Sequence, residues 1–116
     1  MPSVRVGHRS VWRDEPAPPE GRGVARTGVT AIVPFGVGEL FRNRVPAGAA
    51  VLNGAGEAIG ITTIQEWGVI ETPIFLTSSM AIGRVYDGAV AALVELDETA
   101  GEDDALMPVV AECDDG

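Results

Sequence analysis

The sequence has no lysine, so its positive charge rests on 8 arginines against 17 acidic residues, for a net charge of −9. A binder of nucleic acid needs a basic footprint to neutralise phosphates, and this balance excludes one. An anionic membrane surface is disfavoured for the same reason. The chain has one cysteine, Cys113, which cannot close an internal disulfide, so a reducing compartment is expected. There is also one histidine, His8, too few for a zinc site that takes three or four protein ligands. No apolar run reaches the length of a membrane span, and no basic-then-apolar leader opens the sequence. The expectation is a soluble, cytoplasmic chain that needs no metal or other cofactor and contacts neither nucleic acid nor membrane.

What is present points to a single partial domain over residues 1–116. The length of 116 residues suffices for a core, and 46% of the residues are hydrophobic. Ser3–His8 alternates Val4 and Val6 with Arg5, which suggests a strand. Arg13–Gly23 is rich in proline and glycine and reads as a loop. Thr27–Val33 is β-branched and stops at Pro34, which predicts a buried strand. Phe35–Pro46 is mixed, with Arg42 and Arg44 expected at its surface. Ala47–Leu52 feeds Asn53-Gly54, a pair that favours positive φ and predicts a tight turn. Ile59–Gln65 suits either a strand or a short helix.

Thr72–Thr77 reads as a strand, and Ser78 or Ser79 is placed to cap a helix over Met80–Leu96. Ile82, Val85, Tyr86, Ala89, Leu93 and Leu96 recur at helical spacing and give that helix one face to bury. Asp97–Ala105 is acidic and predicts a solvated loop; Met107–Ala111 predicts a last strand. Strands interrupted by an amphipathic helix make an α/β fold, a sheet covered by helices. The final strand runs into Glu112-Cys113-Asp114-Asp115-Gly116 with no closing element, which reads as a cut in a longer domain.

Single motifs carry little chemistry here. The glycine-rich segment 53–60 lacks the lysine of a phosphate cradle, so a tight turn with close backbone packing is its plain reading. Cys113 has no visible base and reads as a small buried residue. Glu102–Asp104 lacks the spacing of a calcium loop. Thr77-Ser78-Ser79 ends a strand in hydroxyls, and no Ser-His-Asp set accompanies it. Glu112, Asp114 and Asp115 suit either an amine or a solvated turn.

Order and spacing say more. Val4-Arg5-Val6-Gly7-His8, Arg26-Thr27-Gly28-Val29-Thr30-Ala31-Ile32-Val33-Pro34, Asn53-Gly54-Ala55-Gly56-Glu57 with Gly60, Glu66-Trp67-Gly68, Thr72-Pro73-Ile74-Phe75-Leu76-Thr77 and Pro108-Val109-Val110-Ala111-Glu112-Cys113-Asp114-Asp115-Gly116 follow one another in register. Together they resemble the DmpA/BapA family of D-aminopeptidases and β-peptidyl aminopeptidases. The resemblance implies an αββα four-layer sandwich like that of the N-terminal-nucleophile hydrolases. It also implies a precursor that cuts itself ahead of a Ser or Thr lying C-terminal of the last motif, outside these residues. The expected partners are therefore the remainder of the domain, further copies of the completed protein, and a peptide or amide substrate.

The same resemblance places substrate-binding residues. Glu112 matches the glutamate that meets the substrate's free amine. Asp114 falls where an Asn or Tyr helps hold the oxyanion, and Ser78 where an Asn is usual. Asn53 opens the N-G-x-G-E motif. No catalytic residue is assigned within the chain. Two alternatives stay open: a non-catalytic remnant that serves assembly, and an acyltransferase similar to ornithine acetyltransferase.

Overall fold

The structure, a computed structural model, describes residues 5–12, 26–34, 36, 39–102 and 104–113. The predicted loop Arg13–Gly23 and the predicted site residue Asp114 lie outside them. Among the described residues, seven strands and two helices follow in order: β1 Arg5–Trp12, β2 Arg26–Val33, β3 Val45–Pro46, β4 Ala58–Ile59, α1 Ile61–Trp67, β5 Val69–Ile70, β6 Ile74–Thr77, α2 Ile82–Leu96 and β7 Val109–Glu112.

Five strands form one sheet in the order β1-β2-β6-β7-β4, and β3 pairs with β5 in a small second sheet. The β-branched run of β2 pairs antiparallel on both sides, with β1 (Arg5↔Val33 through Trp12↔Arg26) and with β6 (Val29↔Thr77 through Ile32↔Ile74). Strands β6 and β7 are parallel, and α2 makes the crossover such a pair requires. Because β6 is extended, consecutive side chains leave on opposite faces. Ile74 packs with Ile64, Ile70 and Val109, whereas Phe75 packs with Ala89, Leu93 and Leu106. One short strand thus serves two cores: α1 and the small sheet cover one face, and α2 covers the other. This is the α/β class that the sequence predicts. Among the described residues no helix is long and apolar enough to cross a membrane.

Three local expectations change. The helix over Met80–Leu96 begins as a 3-10 turn at Ser79–Ala81, and α2 starts at Ile82. Ser78 sits extended ahead of that turn, but its hydroxyl makes no cap bond; its carbonyl accepts the Ala81 N–H at 2.9 Å instead. The positive φ expected at Asn53-Gly54 falls on Gly56 (139°) and Gly60 (98°). Gly60 breaks β4 from α1, which resolves the ambiguous Ile59–Gln65 into a strand end and a helix. A methyl on Gly60 would lie 3.1 Å from Val109 Cγ2 and 3.3 Å from the Pro108 carbonyl, so the turn packs directly on the start of β7.

The third change concerns Asp97, which the acidic run places in a solvated loop. It is 4% exposed. Its carboxylate accepts two hydrogen bonds from Arg42, at 3.1 and 3.2 Å, and two from Thr99, the backbone N–H at 2.9 Å and the hydroxyl at 2.7 Å. Arg42, and Thr99 after it, pull the Asp97 carboxyl down to about 2. The reason is long-range: Arg42 lies 55 residues away in sequence.

Candidate functional site

Strand β7 lies inside the sheet, between β6 and β4. Its last residues are held from both sides. The Glu112 N–H donates to the Glu57 carbonyl at 3.0 Å, and the Cys113 N–H donates to the Thr77 carbonyl at 2.7 Å. Thr77 is in register with Glu112, and Ala58 with Ala111. The end of β7 therefore joins two stretches far apart in sequence, the glycine-rich segment and the end of β6.

The Glu112 side chain lies over Gly56. A methyl on Gly56 would overlap Glu112 Oε1 and stand 2.9 Å from its Cδ. Beside this contact opens a cavity of about 600 Å³. Ala50, Ala55, Ala58 and Ala111 form its small-residue wall, with Val51, Leu52 and Ile61 adding apolar surface. Its polar groups are Asn53, Glu57 and Glu112. Glu57 turns one oxygen back to its own chain, where Oε1 accepts the Ala58 N–H at 3.0 Å. Among the described residues, no cationic side chain lines the cavity. It offers carboxylate and amide oxygens beside apolar surface, chemistry that suits an ammonium group carried on a small organic body.

Of the predicted site residues, Asn53 and Glu112 meet at this cavity, although they are remote in sequence. Ser78 does not line it; it follows Thr77, whose hydroxyl is engaged in donating to the Gly28 carbonyl at 2.9 Å. Asp114 lies outside the described residues. Gly56 and Glu57, both within the N-G-x-G-E motif, are not singled out as site residues by the sequence. The spacing of the motif marks a turn, and only the pairing of β4 with β7 brings that turn against Glu112. Cys113, expected buried, is exposed because β7 ends one residue earlier. Among the described residues, no three His, Cys, Asp or Glu side chains gather to hold a metal ion.

The start of β7 is fixed by a different set. Thr72 is fully buried; its hydroxyl accepts the Val109 N–H at 3.2 Å and donates to the Pro73 carbonyl at 2.9 Å. Glu71, 5% exposed, accepts the Met107 N–H at 3.2 Å through Oε1. Its Oε2 lies 3.2 Å from Arg44 Nε, an ion pair without hydrogen-bond geometry. Arg44 also bonds Asp104 at 2.9 Å and lies 5.6 Å from the centre of the Trp67 ring.

Burial pushes the Glu71 carboxyl above the usual range, against the opposing pull of the Met107 N–H and Arg44. A raised carboxyl stabilises the fold fully only below its unfolded value, near pH 4, and that contribution is lost as pH rises through the folded value. Glu71→Gln keeps an acceptor for Met107 and drops the charge, so it should hold or raise the melting temperature at pH 7 and change little at pH 4. Glu71→Ala should lower it at both, because it strands the Met107 N–H and empties buried space. Thermal melts of the three forms at the two pH values check the sign.

Comparison with known proteins gives the family and the fold. The pattern that defines Peptidase family S58 matches residues 1–116. The β-peptidyl aminopeptidase BapA of Sphingosinicella microcystinivorans is 35% identical over 113 residues, covering 97% of this chain and 27% of the relative. That of Sphingosinicella xenopeptidilytica is 38% identical over 109 residues, covering 94% and 27%. Among solved structures, the L-aminopeptidase D-Ala-esterase/amidase of Ochrobactrum anthropi superposes with a TM-score of 0.75 at 31% identity, over 94% of this chain and 30% of that one. It is described as a prototype for the serine aminopeptidases and a new variant among the Ntn hydrolase fold. A β-aminopeptidase of Burkholderia sp. superposes at 0.80 with 38% identity, over 97% and 30%. The chain thus spans about a quarter to a third of the length of these relatives.

Proposed function

The chain belongs to Peptidase family S58, and from that premise we propose that it is the N-terminal part of a self-processing serine aminopeptidase or amidase, the part that receives the substrate's ammonium group. The observation that carries this reading is the meeting of Glu112 with the Asn53–Glu57 segment at one cavity that presents acceptors and, among the described residues, no cation. Glu112 binds the ammonium, and Asn53 lines the same cavity; the family resemblance alone proposes Ser78 and Asp114 as further substrate-binding residues. The nucleophile and the remaining layers of the αββα sandwich come from polypeptide outside these residues, and the completed protein assembles with further copies of itself. A single cysteine supports a cytoplasmic setting.

The test uses the polypeptide extended to the relatives' length. It should hydrolyse an aminoacyl p-nitroanilide. The N-acetylated counterpart, which has lost its ammonium group, should fall by about tenfold or more in kcat/KM, for a charge-assisted bond of roughly 1.5–3 kcal/mol. Equal turnover of the two compounds would overturn the reading.

A further inference from the structure

We infer that Gly56 is a positioning residue for substrate binding: its missing side chain leaves the space in which the Glu112 carboxylate stands, and so sets where the substrate's ammonium group is held. The inference rests on the ammonium-binding reading of Glu112 and extends it to a glycine that lines the same cavity.

The geometry separates Gly56 from the other glycines of the turn. A methyl at Gly54 meets nothing within 4 Å. One at Gly60 meets the wall of β7, Val109 and Pro108. Only at Gly56 does it meet Glu112, and it meets the carboxylate end: Oε1 in overlap, Cδ at 2.9 Å and Cγ at 3.4 Å. The far end of a glutamate is free to swing, whereas the Glu112 backbone is held by its bond to the Glu57 carbonyl. An alanine at 56 is therefore relieved by moving the carboxylate. At a φ of 139° an alanine also meets backbone strain, a separate effect that lowers stability.

The experiment is a double-mutant cycle in the polypeptide extended to the relatives' length, with KM for an aminoacyl p-nitroanilide as the readout and self-cleavage as the check on folding. Gly56→Ala should raise KM on the order of tenfold or more, the scale expected of a misplaced binding group. In a Glu112→Ala background no carboxylate remains for the new methyl to displace. There the same substitution should change KM by less than about twofold. Gly60→Ala should lower the melting temperature and leave KM within about twofold, which separates strain in the turn from displacement of the carboxylate.

An equal effect of Gly56→Ala in both backgrounds, or failure to mature in both, would overturn the inference and assign Gly56 to the backbone alone. A silent Gly56→Ala would overturn it too. If Glu112→Gln itself left both KM and kcat/KM unchanged, the ammonium-binding reading would fall first. If Glu112→Gln raised KM and Gly56→Ala did not, the positioning role alone would fall.

Discussion

Glu112→Gln, made in the polypeptide extended to the relatives' length, should raise KM for amine-bearing substrates or lower kcat/KM by about tenfold or more while leaving self-cleavage largely intact. Glutamine keeps the size and one acceptor but removes the charge, and a hydrogen bond between carboxylate and ammonium is worth roughly 1.5–3 kcal/mol more than an unpaired end. The main-chain bonds that hold Glu112, to the Glu57 carbonyl and beside Thr77, do not involve the substituted atoms, so the fold should tolerate the change. Self-cleavage acts on a backbone bond with no free amine and gives the internal control. Full activity of the variant on the same substrate would remove Glu112 from binding. Loss of activity that traced wholly to failed maturation would do the same.

The 116-residue chain, purified alone, should hydrolyse no aminoacyl amide. Catalysis by a hydroxyl needs a base to activate it, and two buried hydroxyls are otherwise engaged: Thr77 with Gly28, and Thr72 with Pro73 and Val109. The one histidine, His8, is on β1, three strands from β7 in the sheet and so about 14 Å from the Glu112 strand. The isolated chain should also associate. Leu52 and Met80 are 97% and 98% exposed, Trp67 and Leu96 are more than half exposed, and the eight-residue β1 is an edge of the five-stranded sheet among the described residues. Turnover of an aminoacyl p-nitroanilide that follows the chain through every purification step would overturn the first expectation. A monodisperse monomer in light scattering with a sharp, cooperative melt would overturn the second.

Some features of this protein are legible in short stretches of its sequence. A β-branched run that stops at a proline can hardly be anything but a strand, and Arg26–Val33 is one. The helical stripe names most of its own buried face, because a period of 3.6 residues is a local property: Ile82, Ala89 and Leu93 are buried, whereas Leu96, at the last turn, is 56% exposed. Glu112 stands out only through the order of motifs that carries the family resemblance. Other features have no local signature. Asp97 looks like its acidic neighbours until Arg42, 55 residues away, folds onto it. Leu40, fully buried, sits in a segment with no readable period. Ser78 has the chemistry of a cap, yet the chain enters the helix through a 3-10 turn and leaves its hydroxyl out of the bonding.

Strand content, helical period and the identity of a carboxylate or an amide are properties of neighbouring residues, so the elements and the chemical types at the cavity are already present in the linear chain. Which of these groups meet is a matter of tertiary structure. The parallel pairing of β6 with β7 and the antiparallel pairing of β4 with β7 set Thr77 and Ala58 beside Glu112 and Ala111. That register presses Gly56 against a carboxylate 56 residues further along the chain. Strand register between distant segments depends on which faces the whole sheet can bury, and no local pattern contains it.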